Sequence, residues 1–214
     1  MSSKDGSPFA SVVSYAVEFV LISECASEET DPETMERKWQ QLSSRYLIRR
    51  WWMNLREDHV RLPHGAEMEE YHVLEYPDWT CIVPVTREGR LVMVEQYRYG
   101  IDQVTLEFPG GAIHPGEPPI EAARRELLEE SGYGNGDWSF IGKSAPDPTR
   151  HTNWAWFYVA RDVEDLGAQQ LDEGEHIGVK TVPIGEALEL AVSGQIAHAA
   201  HVAALLWAEK KGLL

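Results

Sequence analysis

Residues 111–132 have the sequence "GAIHPGEPPIEAARRELLEESG", which contains a short predicted helix with three glutamates on one side. Pro118 suits the first helical position, where a missing N–H costs nothing, and Gly132 suits the position just after the helix. At about 100° per residue, three carboxylates fall within roughly one third of the circumference, those of Glu126, Glu129 and Glu130. The apolar side chains fall on the opposite side, so we predict an amphipathic helix over 118–131.

The three carboxylates of this helix repel one another. Like charges at i,i+3 and i,i+4 destabilise a helix by a few tenths of a kcal/mol each. Glu129 and Glu130 also lie near the negative, C-terminal end of the helix dipole. A hard divalent cation such as Mg²⁺ or Mn²⁺ would neutralise them, since it prefers carboxylate oxygens. A solvated charged face, paired in part with Arg124 and Arg125, is the alternative that these residues leave open.

The loop before the helix favours the metal site over the solvated charged face. Gly110 and Gly111 follow a predicted strand and permit a close approach of the backbone. The glycines, the glutamates and the arginine are spaced as in the Nudix box of the Nudix hydrolase family, which this segment resembles through Gly111, Glu117, Arg125-Glu126-Leu127, Glu129-Glu130 and Gly132. One fixed position differs, because the family prefers an aliphatic residue where this chain has Tyr133.

Segments on both sides resemble one branch of that family. "EQYRYG" (95–100), "LEFPGG" (106–111) and "LDEGEHIGV" (171–179) are similar to ADP-ribose pyrophosphatases and related nucleoside diphosphate sugar hydrolases. The likeness runs from about Trp39 to Leu206. It implies an α+β protein with the Nudix fold, a mixed β-sheet between helices, preceded by an N-terminal antiparallel β-sheet region.

The resemblance implies a metal site that holds one to three Mg²⁺ or Mn²⁺ ions. Glu126 and Glu130 would be direct ligands, one helical turn apart. Glu129 would bind through water or hold a second ion, and the carbonyl of Gly110 would add an oxygen. We also count Glu129 among the expected catalytic residues.

Three further roles follow from the resemblance. Arg125 would orient the carboxylates as a catalytic residue, and Glu117 would assist from the loop, next to the substrate. A glutamate outside the box, on an acidic loop, would be the general base. The matching position is Glu175, with Glu173 as the alternative. The family commonly has an aromatic or aliphatic residue where this chain has His176.

The expected substrate contacts lie outside the helix. By resemblance, Arg98 would contact the pyrophosphate, and Glu107 would reach a ribose hydroxyl or support another residue of the site. Aromatic side chains from the N-terminal region would stack on a purine, for which Trp51, Trp52 and Trp39 are available. Such aromatic runs also occur in cores and interfaces, and we expect a homodimer that covers them.

Composition limits the other function classes. The formal net charge of −16 argues against general binding to nucleic acids or anionic membranes, whose phosphates require Lys and Arg. A phosphorylated substrate remains compatible with this charge when a divalent cation lies between the two. Cys25 and Cys81 are far apart and lack metal-ligand spacing, which indicates two reduced thiols and a cytoplasmic protein.

Three regions follow from the patterning. Residues 1–34 are a poorly specified extension, whose apolar stretch 9–23 is too short to span a bilayer. Residues 35–77 alternate aromatic and β-branched positions, which predicts a β-rich region for dimerisation and substrate contact. Residues 78–214 form the expected hydrolase domain. Its predicted strands are 79–85 and 91–97, as a hairpin, then 104–109, 138–143, 152–161 and 177–183, and its last helices are 184–194 and 198–212.

The expected reaction is Mg²⁺-dependent hydrolysis of the pyrophosphate bond of ADP-ribose or a related nucleoside diphosphate sugar. Its products are a nucleoside monophosphate and a sugar phosphate. Alternative substrates are GDP-mannose, NADH or dinucleoside polyphosphates, and a non-catalytic nucleotide-sensing domain is the alternative from another class. Such sensing domains tend to lose box glutamates, which this chain retains.

Overall fold

Ten strands and three helices lie between Gln40 and Lys210 in the computed structural model, which describes residues 36–214. The expected extension over residues 1–34 lies outside the described residues, as does Cys25. Residues 39–214 form one compact unit. Over the described range, no helix combines the length and the apolar character needed to cross a membrane.

The N-terminal sheet, residues 40–75, is a three-stranded antiparallel meander. It consists of β1 (Gln40–Arg49), β2 (Asn54–Arg61) and β3 (Glu67–Glu75), in the order β1-β2-β3. Nearly every residue of β1 is exposed. The aromatic and β-branched alternation of this region therefore forms the predicted strands, of which β2 and β3 bury Val60 and Val73, whereas β1 buries no apolar side chain.

The second sheet is mixed and carries the rest of the chain. Its strands are β4 (Trp79–Thr86), β5 (Arg90–Arg98), β6 (Gln103–Glu107), β7 (Tyr133–Gly134), β8 (Asp137–Ser144), β9 (Ala155–Asp165) and β10 (Ile177–Pro183). The central order is β10-β5-β4-β9-β7, with β6 on β5 and β8 on β9. Strands β4 and β9 pair in parallel and the other pairs are antiparallel.

Helices cover both faces of this sheet. Helix α1 (Pro119–Ser131) packs through Ala123 and Leu127 against one face. Helices α2 (Ile184–Val192) and α3 (Ala199–Lys210) cover the other face, which includes the buried thiol of Cys81. Strand β4 is a nearly continuous apolar run because it is covered on both sides.

The predicted hairpin of β4 and β5 is paired only near its turn. Val85 of β4 lies opposite Leu91 of β5. Further along, β4 hydrogen-bonds to the loop that precedes α1: the N–H of Ile82 donates to the Pro109 carbonyl at 2.9 Å, and that of Thr80 to the Gly111 carbonyl at 2.8 Å. The two strands therefore diverge, and the loop takes the place of β5 beside β4.

Helix α1 differs in two details from its sequence-based prediction. It begins at Pro119, with Pro118 as the extended residue before it. One carboxylate of its anionic side is also buried, since Glu130 is only 6% exposed. The two adjacent alanines, Ala122 and Ala123, pack into the interior and bring the helix close to the sheet.

The N-terminal sheet is hydrogen-bonded to the loop between β8 and β9. The N–H of Leu74 donates to the Arg150 carbonyl at 2.8 Å, and the N–H of Thr152 donates back to the Leu74 carbonyl at 3.1 Å. The Tyr71 hydroxyl donates to the carbonyl of Thr149. These bonds fix the loop against the end of β3.

Candidate active site

Gly110 lies in the loop after β6, where the chain stops pairing with β5 and begins to pair with β4. A Cβ atom at this position would lie 2.1 Å from the Thr80 carbonyl oxygen, so the close approach to β4 requires glycine. The Gly110 N–H donates to Glu130 Oε2 at 2.8 Å. The Gly110 carbonyl accepts no hydrogen bond from the described residues, whereas its neighbours at Pro109 and Gly111 accept from β4.

Glu130 is a buried carboxylate with too little positive charge around it. Burial is the main reason that its pKa is raised to about 8. The negative charges of Glu126 and Glu175 also raise this pKa, whereas the hydrogen bond from the Gly110 N–H lowers it. Burial also raises the pKa of Glu126. A Cβ at Gly111 would lie 2.6 Å from the Glu126 carboxylate, so this glycine leaves room for that side chain.

Arg125 joins the loop to the helix. Its Nε and Nη2 donate to the two oxygens of Glu117 at 3.0 and 3.1 Å, and Nη2 also donates to the Ala112 carbonyl at 3.0 Å. Its Nη1 donates to Glu126 at 2.7 Å and to Glu129 at 3.0 Å. The hydrogen bonds from Arg125 lower the pKa of Glu117 to about 2. Arg125 therefore contacts three other residues of the box, Glu117, Glu126 and Glu129.

The donor set fits a hard divalent cation. Carboxylate oxygens and a backbone carbonyl are the ligands that Mg²⁺ and Mn²⁺ prefer. The raised pKa of Glu130 shows that the surrounding protein groups disfavour its ionised form, which a bound cation would stabilise. No three acidic, His or Cys side chains of the described residues converge on one point, because Arg125 holds Glu126 and Glu129 while Glu130 turns to Gly110.

Arg98 and Glu107 form a two-bond ion pair beside these carboxylates. The guanidinium donates to both carboxylate oxygens, at 2.8 and 2.6 Å, and Thr105 adds a third hydrogen bond. Burial alone would raise the pKa of Glu107, but these bonds outweigh it and lower the pKa to about 2. Glu107 is 2% exposed, so in this structure it supports Arg98, the second of its two expected roles.

The acidic loop places Glu175 near the site. The charge of Glu175 contributes to the raised pKa values of Glu126, Glu130 and Arg98, each of which has a larger cause of its own. Its Oε2 accepts from the Asp172 N–H at 3.0 Å. Glu173 is exposed and makes no hydrogen bond or ion pair with the described residues, whereas Glu175 is half-buried.

The tryptophans expected to contact a base belong to the N-terminal sheet. Trp51 and Trp52 lie between β1 and β2, where they are 95% and 48% exposed, and Trp39 packs edge-on against Tyr71 with 5.5 Å between ring centroids. Within the described chain, no hydrogen bond or ring contact joins Trp51 or Trp52 to α1.

Three residues near the site escape sequence-based reasoning. Thr105 supports Glu107, and Gln169 donates to the Glu130 carbonyl. His201 Nδ1 accepts a hydrogen bond from the Phe108 N–H at 3.1 Å. This bond gives the N–H a partner just after the pairing of β6 with β5 ends. Burial lowers the pKa of His201 to about 3. His201 stacks on His198 at 4.3 Å, and no metal-ligand group forms there among the described residues.

Comparison with known protein families gives two matches. A family model described as "NUDIX domain" matches residues 76–204. A second, described as "Nucleoside diphosphate sugar hydrolase N-terminal domain", matches residues 39–74. Together they span both sheets.

Individual proteins show the same relationship. The chain is 31% identical over 138 residues to the methanol dehydrogenase activator of Bacillus methanolicus, covering 64% of this chain and 74% of that protein. It is 28% identical over 163 residues to the ADP-ribose pyrophosphatase of Bacillus subtilis (strain 168), covering 76% and 88%. A crystal structure of an ADP compounds hydrolase superposes with a TM-score of 0.71 at 26% identity, over 83% of this chain and 97% of that one. The expected α+β fold with an N-terminal antiparallel sheet is confirmed.

Proposed function

The chain belongs to the Nudix hydrolase family, and we propose that it hydrolyses the pyrophosphate bond of ADP-ribose or a related nucleoside diphosphate sugar with the aid of a divalent cation. The observation that carries this proposal is the placement of Arg98 near two carboxylates outside its own ion pair, those of Glu130 and Glu175. A pyrophosphate between them would meet a fixed cation on one side. The carboxylates on the other side could hold the metal.

Glu126, Glu129 and Glu130, with the Gly110 carbonyl, would hold the cation, for which we propose Mg²⁺ or Mn²⁺. When bound, such an ion neutralises phosphate charge and makes water more acidic. The pKa of Glu130 would then fall, since a positive charge favours the ionised carboxylate. Arg125 keeps the helix carboxylates and the loop in register through Glu117 and Ala112.

The chain's own groups supply binding and proton transfer. Arg98 is fixed at Nε and Nη2 by Glu107, which leaves Nη1 available for a phosphate oxygen. Glu175 has an oxygen, Oε1, without a partner among the described residues and would accept the proton of the attacking water. That water bonds to one phosphorus as the bridging P–O bond breaks, which gives two monophosphate products. Glu117 and the indoles of Trp51 and Trp52 would contact the rest of the substrate.

A hydrolysis panel tests the reaction and the substrate class. ADP-ribose is compared with GDP-mannose, UDP-glucose, NADH and diadenosine polyphosphates, with Mg²⁺, with Mn²⁺ and with EDTA. We expect AMP and ribose 5-phosphate from ADP-ribose, and none in EDTA. Glu130→Gln should lower the rate by about 100-fold or more, because it removes a ligand charge that the metal needs.

The matched control is Glu121→Gln, on the exposed first turn of α1. It should leave the rate within about twofold of the wild type. Turnover of another panel member alone would discard ADP-ribose and retain the site. Full activity of Glu130→Gln would contradict the assigned site, and equal loss in both variants would indicate damage to the helix.

A homodimer is the assembly that we propose. The N-terminal sheet exposes Tyr46, Leu47, Ile48, Trp51 and Trp52, and apolar groups of this size are usually covered by a partner. A second copy would cover them and bring indoles toward a nucleotide base. We further propose the cytoplasm as the location, since the buried Cys81 is a free thiol. Cell fractionation would test it.

A further inference from the structure

The loop between β9 and β10 is anchored on the C-terminal turn of α1. The N–H of Leu166 donates to the Gly132 carbonyl at 2.9 Å, and that of Gln170 donates to the Glu129 carbonyl at 2.8 Å. The last carbonyls of a helix lack partners within the helix. The first half of the loop therefore supplies donors to groups that need them.

Gln169 makes a different kind of contact from its neighbours. Its side-chain amide donates both of its protons, one to the Glu130 carbonyl and one to the Ile177 carbonyl at 3.1 Å. Glu130 belongs to α1, and Ile177 is the first residue of β10. A single neutral group thus connects the helix end, the start of the loop and its far end.

The segment enclosed by this contact is Gln170–His176, which carries Glu175. Inside it, the Glu175 N–H donates to the Asp172 carbonyl at 2.9 Å, and the Glu175 carboxylate accepts from the Asp172 N–H at 3.0 Å. The segment is therefore a compact turn whose ends meet at Gln169. Beyond it, Ile177 pairs with Gln96 of β5, two residues before Arg98.

We propose that Gln169 is a positioning residue, which fixes Glu175 relative to the carboxylates of α1 by closing the Gln170–His176 loop onto the helix end. This inference rests on the proposed function, in which Glu175 accepts a proton. A general base must lie within hydrogen-bond reach of its water, and small displacements of such groups are costly. Without the Gln169 amide, the loop would keep its turn and its backbone bond from Gln170 to Glu129, and would lose the link between its two ends.

Gln169→Met tests the proposal, because methionine has a similar length and no donor. We expect kcat to fall by roughly 10- to 100-fold, with KM within about twofold, because substrate contacts through Arg98 are retained. Gln170→Met is the matched control. The Gln170 side chain makes no hydrogen bond with the described residues, and its backbone bond to Glu129 remains. This control should keep kcat.

Two further readouts separate positioning from general damage. Amide hydrogen exchange over residues 171–176 should accelerate in Gln169→Met and not in Gln170→Met, while the thermal midpoints of the variants stay within a few degrees of each other. In a Glu175→Gln background, Gln169→Met should have no further effect on kcat, since the group that it places is already disabled.

The outcomes distinguish the two proposals. Unchanged exchange over 171–176 in Gln169→Met would overturn the anchoring role, whatever the activity. An equal loss of kcat in the wild-type and Glu175→Gln backgrounds would show that Gln169 does not act through Glu175. Wild-type activity of Glu175→Gln itself would overturn the assignment of the base, a failure of the proposed function that the exchange measurement would not share.

Discussion

Gly110 and Gly111, the two adjacent glycines before α1, have different neighbours. We therefore expect a substitution at Gly110 to affect mainly stability and one at Gly111 to affect mainly activity. A Cβ at Gly110 would meet the backbone oxygen of Thr80 at 2.1 Å, and backbone cannot move aside cheaply. A Cβ at Gly111 would meet only the terminal atoms of Glu126 at 2.6 Å. A flexible side chain can turn away from such a clash, at the expense of its position in the site.

Gly110→Ala should therefore destabilise the protein by about 2–4 kcal/mol, as steric conflicts in a packed interior do. Gly111→Ala should cost less than about 1 kcal/mol and lower kcat by at least about tenfold, because it displaces the Glu126 carboxylate. Urea unfolding and steady-state kinetics measure the two effects.

Gly185→Ala is the control for both substitutions, because a Cβ there meets nothing within 4 Å. It should leave stability and rate unchanged or raise stability slightly, since alanine favours a helix. Full activity of Gly111→Ala would show that the Glu126 carboxylate is not needed where the structure places it.

At the scale of secondary-structure elements, His201 connects α3 to the end of β6. It accepts the Phe108 N–H and is surrounded by His198, Glu107 and Arg98. The burial that lowers its pKa to about 3 keeps it neutral in the folded state. In the unfolded state its pKa is about 6.5, so the unfolded chain binds more protons between these two values.

Stability from this group is therefore fully present above pH 6.5 and is lost as the pH falls toward 3. Between pH 7 and pH 5 the loss amounts to about 2 kcal/mol. His201→Gln keeps a hydrogen-bond acceptor and cannot be protonated. Between pH 7 and pH 5, the free energy of unfolding of this variant should therefore fall by about 2 kcal/mol less than that of the wild type. Urea unfolding at both pH values measures the difference.

His64→Gln serves as the comparison, because His64 is exposed in the turn between β2 and β3. It should follow the wild-type pH dependence. An identical slope for His201→Gln and the wild type would mean that the pKa of His201 is the same in the folded and unfolded states, contrary to its buried position.

Secondary structure and the box followed from sequence because both depend on local spacing. The carboxylates of α1 follow from helical periodicity, and β4 from its unbroken apolar run. The positions of His201 and Gln169 did not follow, since their partners lie 93 and 39 residues away and depend on packing. A supporting role for Glu107 was one of two open interpretations, and only the structure shows that its partner is Arg98.

At the scale of the whole molecule, the described residues contain two sheets with unequal cover. Helices bury both faces of the mixed sheet, whereas the N-terminal sheet leaves β1 exposed along almost its entire length. Trp51 at 95% exposure is the extreme case. Burying a side chain of this kind is worth about 1.5–3 kcal/mol, which favours a partner on this sheet.

We expect the wild-type protein to sediment at about twice its chain mass of 24.2 kDa. Ile48→Lys should raise the dimer dissociation constant by roughly 10- to 100-fold, because it places a charge among apolar groups of the contact. Val192→Lys, at an equally apolar and more exposed position at the end of α2, should have no effect on the mass. Sedimentation equilibrium over a range of concentrations measures all three. A wild-type mass of 24.2 kDa at every concentration would contradict the dimer. Contact with the substrate would then be the one remaining role proposed for the exposed indoles of Trp51 and Trp52.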